Sequence, residues 1–381
     1  MNKKAIITII SLFIIVIVSS VYCYINVNNS YEKYINMNPD KHIDNNFLTI
    51  MLEQDDGTYQ KITSNDWPGD GYIFNPALSK CENGGELTWD SDNNIVKMSG
   101  VTADNCYVYF DKVPTLAEYI INKYTGTQGE NEIYHHTSSL ANSAGDNSYR
   151  YAGANPNNYV CFGSEETTCP EDNLYRIIGV FENKVKLIKN TSIGNYVWDS
   201  GNSNVWDPNS DTYPDIRTTL NSTFLNTLNS TWQNKIATHA YKVGGGSYTY
   251  LRNGTAKTAY NYEVGSNSSS TIDSMKIGLM YVSDYGFGAS PDYWTTILSN
   301  YHGGTQNNNW IYIGGEWTIT RVSDTNNASY RVFGALGSGI GHIGYNNNTT
   351  ASLNVRPVFY LNSNIQYVSG DGSINNPFRI N

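Results

Sequence analysis

Charge is scarce in this 381-residue chain: charged side chains make up 15%, and 24 Lys and Arg face 34 Asp and Glu, for a net charge of −10. With no basic stripe to meet phosphates, no nucleic-acid partner is expected. Catalytic signatures are missing too. There is no His-Glu-x-x-His, no Gly-x-Ser-x-Gly and no Walker pattern, and the glycine-rich stretches Gly244-Gly245-Gly246 and "VGSNSSS" lack the Lys-Ser/Thr that a phosphate loop requires. Cysteine is limited to five residues, with none after Cys169 and no Cys-x-x-Cys spacing, which argues against zinc and thioredoxin-like chemistry. No Leu-Pro-x-Thr-Gly sorting motif occurs, so attachment to a cell surface would have to come from the N-terminal segment.

What fills the space is tyrosine, with 31 residues, and 33 glycines among abundant Asn, Ser and Thr. This mix is poor in helix formers and rich in strand and turn formers. Two explanations stand: an AT-rich genome whose codons favour Asn, Tyr, Ile and Lys, or a neutral, aromatic-studded exterior suited to uncharged ligands such as sugars.

The N-terminus carries the clearest single signal. "MNKK" precedes residues 5–25, "AIITIISLFIIVIVSSVYCYI", a charge-free run. At about 1.5 Å per residue it spans a hydrocarbon core of roughly 30 Å. Lys3 and Lys4 before it place the N-terminus in the cytoplasm and the rest outside. Either the run is retained as a single-pass anchor, or it is a signal peptide cut after Val18-Ser19-Ser20 and the chain is secreted; apolar residues continuing through Val21, Tyr22 and Ile25 favour the anchor. Four further cysteines agree with export: Cys81, Cys106, Cys161 and Cys169 allow three pairings, of which locality favours Cys81–Cys106 and Cys161–Cys169 as structural staples.

Residues 26–46 are polar and Asn-rich and read as a tether. Residues 47–112 read as a small β-sandwich-like module of short strands split by Gly, Asn and Asp. Within it Asp90-x-Asp92-x-Asn94 reads as a hairpin turn. A calcium loop would need Gly at its sixth place and Glu at its twelfth, where Ile95 and Val101 stand. No cofactor is expected, calcium being the one ion left open.

From Pro114 "PTLAEYIINKYTG" predicts a helix: Thr115 and Glu118 form a capping box, Leu116, Ile120, Ile121 and Tyr124 an apolar stripe, and Gly126 a stop. The module boundary is placed just before it, with residues 113–381 as one α+β domain. Short strands are expected around Tyr149–Tyr151 and Tyr159–Phe162. "LYRIIGVFENKVKLIKN" predicts a hairpin turning at Glu182-Asn183, with Lys184, Lys186 and Lys189 facing outward. "YPDIRTTLNSTFLNTLNSTWQNKI" predicts one or two helices, and the remainder returns to strands.

Three groups of residues bear on function. In "NVRPVFYLNSN", Pro357 lacks an N–H and belongs at a strand's edge or start, so Arg356 should turn inward there and grip a carboxylate or loop carbonyls in a structural role. Asp284, Asp292, Glu316 and Asp324 are the carboxylates available to a polysaccharide hydrolase, whose two acids stand roughly 5 to 9.5 Å apart, yet no spacing singles out a pair. Tyr285, Tyr293, Trp294, Tyr301, Trp310 and Tyr312 crowd a short span with Gly and Asn. Either they form a sugar-binding surface, in which CH groups meet ring faces and amides bond hydroxyls, or they fill a β core. The histidines are scattered, and adjacent His135 and His136 cannot share a face.

The stretches "GANPNNYVCFG…CPEDNLYRIIGVFENKVKLIKN", "GLMYVSDYGFG" and "VRPVFYLNSNIQYVSGDGSINNPFRI" resemble a family of uncharacterised, membrane-anchored surface proteins of Gram-positive gut bacteria, over roughly residues 113–381. The strand order and the arginine-bearing final strand resemble, more distantly, the C-type lectin-like fold in the branch shared with formylglycine-generating enzymes. That likeness implies scaffold only. The late cysteines those enzymes use are absent here, so their activity is not implied. The expectation is therefore an anchored, β-rich α+β surface protein that binds a glycan or protein without catalysis. A polysaccharide hydrolase and a ligand-free spacer are the alternatives.

Overall fold

The computed structural model describes residues 48–62, 68, 71–90, 95–99, 104–265, 271–323, 332–335, 342–346 and 348–381. The expected anchor 5–25 and tether 26–46 lie outside them, and among the described residues no helix is long and apolar enough to cross a membrane. The fold is α+β and strand-rich, and the chain divides into two compact units, Met1–Val113 and Pro114–Asn381.

The first unit contains β1 (Leu48–Glu53), β2 (Tyr59–Ile62), β3 (Tyr72–Phe74), β4 (Lys80–Cys81), β5 (Glu86–Asp90), β6 (Ile95–Ser99) and β7 (Cys106–Lys112). Strand β7 pairs with β1 in parallel and with β3 and β4 antiparallel, while β5 and β6 form a separate hairpin. Alternation along β7 buries Cys106, Val108 and Phe110 and leaves Tyr107 and Tyr109 half-exposed, the period-two signature of a sheet with one dry face. Val96 of the hairpin joins Ile50, Val108 and Phe110 in that core, and Trp89 meets Phe110 edge-on at 5.1 Å.

The second unit opens with α1 (Leu116–Lys123). Its capping box is formed: Glu118 N–H donates to Thr115 Oγ1 at 3.2 Å and Thr115 N–H to Glu118 Oε2 at 2.8 Å. Then follow β8 (Ile133–His135), β9 (Tyr149–Tyr151), β10 (Tyr159–Cys161), β11 (Leu174–Phe181), β12 (Lys184–Lys189) and β13 (Asn195–Val197). The β11–β12 turn has Glu182 and Asn183 both left-handed, at φ 48° and 62°, the mirror-image turn that matches strand twist.

Next come α2 (Asp215–Thr218), which continues into a wider π turn over Thr219–Phe224, and α3 (Ser230–Lys235), with Ile216, Leu220 and Phe224 buried. Strands β14 (His239–Val243) and β15 (Gly245–Gly246), helices α4 (Tyr248–Arg252) and α5 (Ala256–Glu263), strands β16 (Thr271–Met275) and β17 (Ile277–Gly278), and helices α6 (Val282–Gly288) and α7 (Gly304–Asn307) follow. The last strands are β18 (Glu316–Val322), β19 (Val332–Ala335), β20 (Ile343–Asn346), β21 (Ser352–Asn354), β22 (Val358–Tyr360), β23 (Tyr367–Ser369) and β24 (Arg379–Ile380).

Two sheets organise these elements, one in the order β17-β22-β12-β11-β9-β8 with β10 on β11, the other β13-β21-β18-β19-β20 with β15 on β18. Tyr175, Ile177, Leu187 and Phe359 of the first and Trp317, Ile319 and Val332 of the second share one hydrophobic core with Trp198 and Trp206. Strand β12 lies between β11 and β22, and every residue after Lys184 on it is buried. The expectation of outward lysines is thereby corrected: Lys186 and Lys189 are interior, because this strand is covered on both faces and alternation no longer reports exposure.

Candidate functional site

The aromatic span chosen from sequence does not form a stacking platform. Tyr285, Trp294, Tyr301 and Trp310 are buried, and only Tyr293 and Tyr312 are half-buried. Their polar tips are consumed by backbone: Trp294 Nε1 donates to Ala289 O (2.9 Å), Trp310 Nε1 to Tyr151 O (3.0 Å) and the Tyr301 hydroxyl to Gly286 O (3.1 Å). The Arg176 guanidinium covers the Trp310 ring at 4.6 Å. These rings pack the core because amphipathic aromatics can bury their area while one polar atom finds a carbonyl.

Arg356 sits just before β22, with Pro357 ahead of the strand's first paired residue. Its Nε and Nη2 reach Glu316 Oε1 and Oε2 at 2.8 Å each, and Nη2 also donates to Ile311 O at 2.5 Å. Both side chains are 1% exposed. The fork ties the start of β22 to the start of β18 and to the loop before it.

A cleft of about 330 Å3 opens elsewhere in the same unit, between the segment leading into β9, the β11–β12 turn, β14, α5 and the N-terminal turn of α6. Its floor is charged. Lys186 Nζ donates to Asp284 Oδ2 at 2.5 Å, both side chains at most 2% exposed. Asp284 is held by its place three residues into the start of α6, where Oδ2 also accepts from Tyr281 N–H at 2.9 Å. Arg150 Nη1 stands 3.7 Å from Asp284 Oδ1, while Nη2 donates to Asp146 Oδ2 (2.6 Å) and Nε to Ser148 Oγ (2.8 Å). Rings wall these cations: Phe181 and Phe287 lie 4.6 and 5.0 Å from the Arg150 guanidinium, and Tyr281 lies 4.6 Å and Tyr360 5.4 Å from Lys186 Nζ. Tyr260, His239 and Lys184 complete the wall and mouth.

The electrostatics follow from this packing. Burial would raise the Asp146 carboxyl, but Arg150 and the Ser148 hydrogen bonds overcome it and hold the group well below the usual carboxylate range. Burial pushes the Lys186 ammonium down against the pull of Asp284. Burial, with Lys186 and Lys184 nearby, brings His239 down to about 4, and burial beside Asp146 takes Tyr260 up to about 12. Beneath the cleft, Glu263 accepts from Val282 N–H, Ser283 N–H and the Thr320 hydroxyl, and burial raises it to about 7 against those donors.

Chemically, the floor offers donors and acceptors whose charges neutralise one another, framed by rings. Of its members only Asp284 was singled out from sequence, as a carboxylate available to a hydrolase, although a signal existed for the cations. Arg150 in "YRY" and Lys186 in "KVKLIK" are cations inside strand-like apolar runs, the same anomaly that drew attention to Arg356.

The remaining candidates are accounted for by structure. Of the four carboxylates named for hydrolysis, Asp284 and Glu316 are bound by buried cations, Asp292 is exposed and Asp324 lies outside the described residues. Both disulfides, Cys81–Cys106 and Cys161–Cys169, are present. Asp104 lies beside the first, but the sulfurs are joined to each other and the carboxylate accepts from Asn83 and Gly85 N–H groups, so the cluster fastens a loop. In the suggested calcium turn Asp90 binds Lys97 at 2.7 Å, and Asp92 and Asn94 lie outside the described residues. His136 is buried, with Nδ1 accepting from Ala144 N–H at 3.1 Å. Comparison of the chain with family models, curated proteins and solved structures gave no match.

Proposed function

We propose that this chain is a non-catalytic surface binding protein, anchored through residues 5–25, whose second unit takes a neutral glycan in the cleft over Arg150, Lys186 and Asp284. The observation that carries the reading is the pairing of charges on the cleft's floor. On that floor Asp146 and Asp284 are each answered by Arg150 or Lys186, leaving paired donors and acceptors beside Tyr260 and Tyr281, while Glu182, Lys184 and Lys242 stand elsewhere in the lining. Uncharged polyols are recognised by such groups together with ring faces. A cleft of this volume falls within the range of small-ligand sites, about 300–1,000 Å3. Binding is favoured over hydrolysis because a glycosidase needs a carboxylic acid with a raised pKa at the bond. Here Asp146 is held ionised and Asp284 is tied to Lys186.

A glycan array probed with the labelled full chain tests this. Neutral oligosaccharides are expected to be retained, and Tyr260→Ala and His239→Ala to weaken retention tenfold or more with an unchanged circular dichroism spectrum. No retained glycan, or retention indifferent to both variants, refutes the reading and leaves the spacer alternative. Release of reducing sugar from any retained glycan would instead establish the hydrolase.

A further inference from the structure

Lys186 differs from the other lysines among the described residues. Lys97 and Lys112 form ion pairs at the surface, and Lys242 and Lys276 donate to the Val264 and Gln233 carbonyls. Lys189 donates to the Asp172 carbonyl, and the Asp172 carboxylate is fully exposed. Lys186 alone combines a buried amine with a buried carboxylate in direct contact, 2.5 Å from Nζ to Oδ2. The Arg356–Glu316 pair is as deeply buried, but a guanidinium is a poor nucleophile.

We propose that Lys186 and Asp284 condense within the folded chain to an intramolecular amide, joining the middle of β12 to the first turn of α6. The fold supplies proximity. The partners are 98 residues apart in sequence, yet each is fixed, Lys186 by a strand paired on both sides and Asp284 by the Tyr281 N–H. It also supplies dryness, since Phe181, Tyr281 and Tyr360 surround the amine.

The reaction balances without any added reagent. A proton passes along the hydrogen bond from Nζ to Oδ2, converting the ion pair into an amine and a carboxylic acid; burial pushes the ammonium toward its neutral form and so favours this step. The Nζ lone pair adds to Cγ, and the C=O electrons move onto Oδ1, which faces the Arg150 guanidinium at 3.7 Å. A second proton moves from Nζ to Oδ2. The Cγ–Oδ2 bond then breaks, water leaves through the cleft, and the Cγ=Oδ1 double bond reforms beside the new Nζ–Cγ bond. Nothing is oxidised or reduced. The remaining floor pair stays neutral afterwards, because Arg150 and Asp146 still answer each other.

The test is peptide mapping of the purified full chain, denatured, reduced and digested with trypsin. The expected product is one species combining the peptide through Lys186 with the peptide holding Asp284, lighter than their sum by one water and uncleaved after Lys186. Recovery of the two as separate, unmodified peptides overturns the proposal. Lys186→Arg and Asp284→Ala should each abolish the linked species. A linked species that persists in either overturns the assignment to these atoms. If the variants fail to fold, the map of the unaltered chain still decides.

Discussion

Replacing Arg356 by methionine keeps most of the side chain's volume and removes its charge, and the structure sets the cost. Three hydrogen bonds disappear, two to Glu316 at 2.8 Å and one to the Ile311 carbonyl, and the Glu316 carboxylate is left 1% exposed with no cation. Removing one partner of a buried pair costs about 3–5 kcal/mol. At about 2–4 °C per kcal/mol for a unit this size, the thermal midpoint of the second unit falls by roughly 10 °C. The loss should depend on pH. Burial pushes the Glu316 carboxyl up and Arg356 pulls it back. Without that pull the folded-state value lies above the unfolded value of about 4.3. A raised carboxyl stabilises the fold below the unfolded value and ceases to do so as pH rises through the folded one. The variant's deficit should therefore be smaller at pH 4 than at pH 8. Arg356→Lys, which restores charge without the fork, should fall between. Thermal melts give the midpoint, and urea unfolding at each pH, followed by tryptophan fluorescence, gives the deficit. A deficit below about 1 kcal/mol, no more than an exposed pair contributes, would refute the assignment of a structural clasp, as would a deficit that grows toward acid.

Loss of Cys81–Cys106, closing 25 residues, should cost the first unit about 3.5 kcal/mol, and loss of Cys161–Cys169, closing 8, should cost the second about 2.5, as read by denaturation of the double-serine variants. Trp294→Ala should destabilise the second unit by about 3–5 kcal/mol in the same assay, the cost of a core cavity, without altering glycan retention in the molecules that remain folded. His239 is held neutral down to about 4 in the fold. A histidine with a depressed folded value binds its proton preferentially when unfolded, so its contribution is lost as pH falls from about 6.5 toward 4. His239→Gln should flatten the acid limb of the stability profile over that window, measured as urea midpoint against pH.

Much of the architecture is legible locally. The Thr115–Glu118 box and the Glu182-Asn183 turn are short-range devices, and each forms where the residues specify it. Arg356 is legible for a related reason: a cation beside a proline at a strand start has few stable solutions, and an inward carboxylate is one of them. Lys186 is misread by the same local logic. Alternation of Lys with Val and Leu describes a strand with one wet face, and β12 has none because β11, β22 and the layers around them enclose it. The aromatic span fails likewise. Composition marks rings as suited to a ligand or a core, and only their burial separates the two uses.

By itself the sequence determined the strand-rich α+β character, the helix Leu116–Lys123 and the Glu182-Asn183 turn. These follow from backbone propensity, side-chain period and capping, which act over a few residues. It did not determine the helices Tyr248–Arg252, Ala256–Glu263, Val282–Gly288 and Gly304–Asn307, which lie where only strands are expected. Tertiary structure alone decided which charges met. Asp146 and Arg150 are four apart, whereas Lys186 and Asp284 stand 98 residues apart and Glu316 and Arg356 stand 40 apart, and no local rule couples these last two pairs. Their pairing is imposed by burial, because a charge removed from water is tolerated only where the fold delivers its opposite within hydrogen-bonding distance.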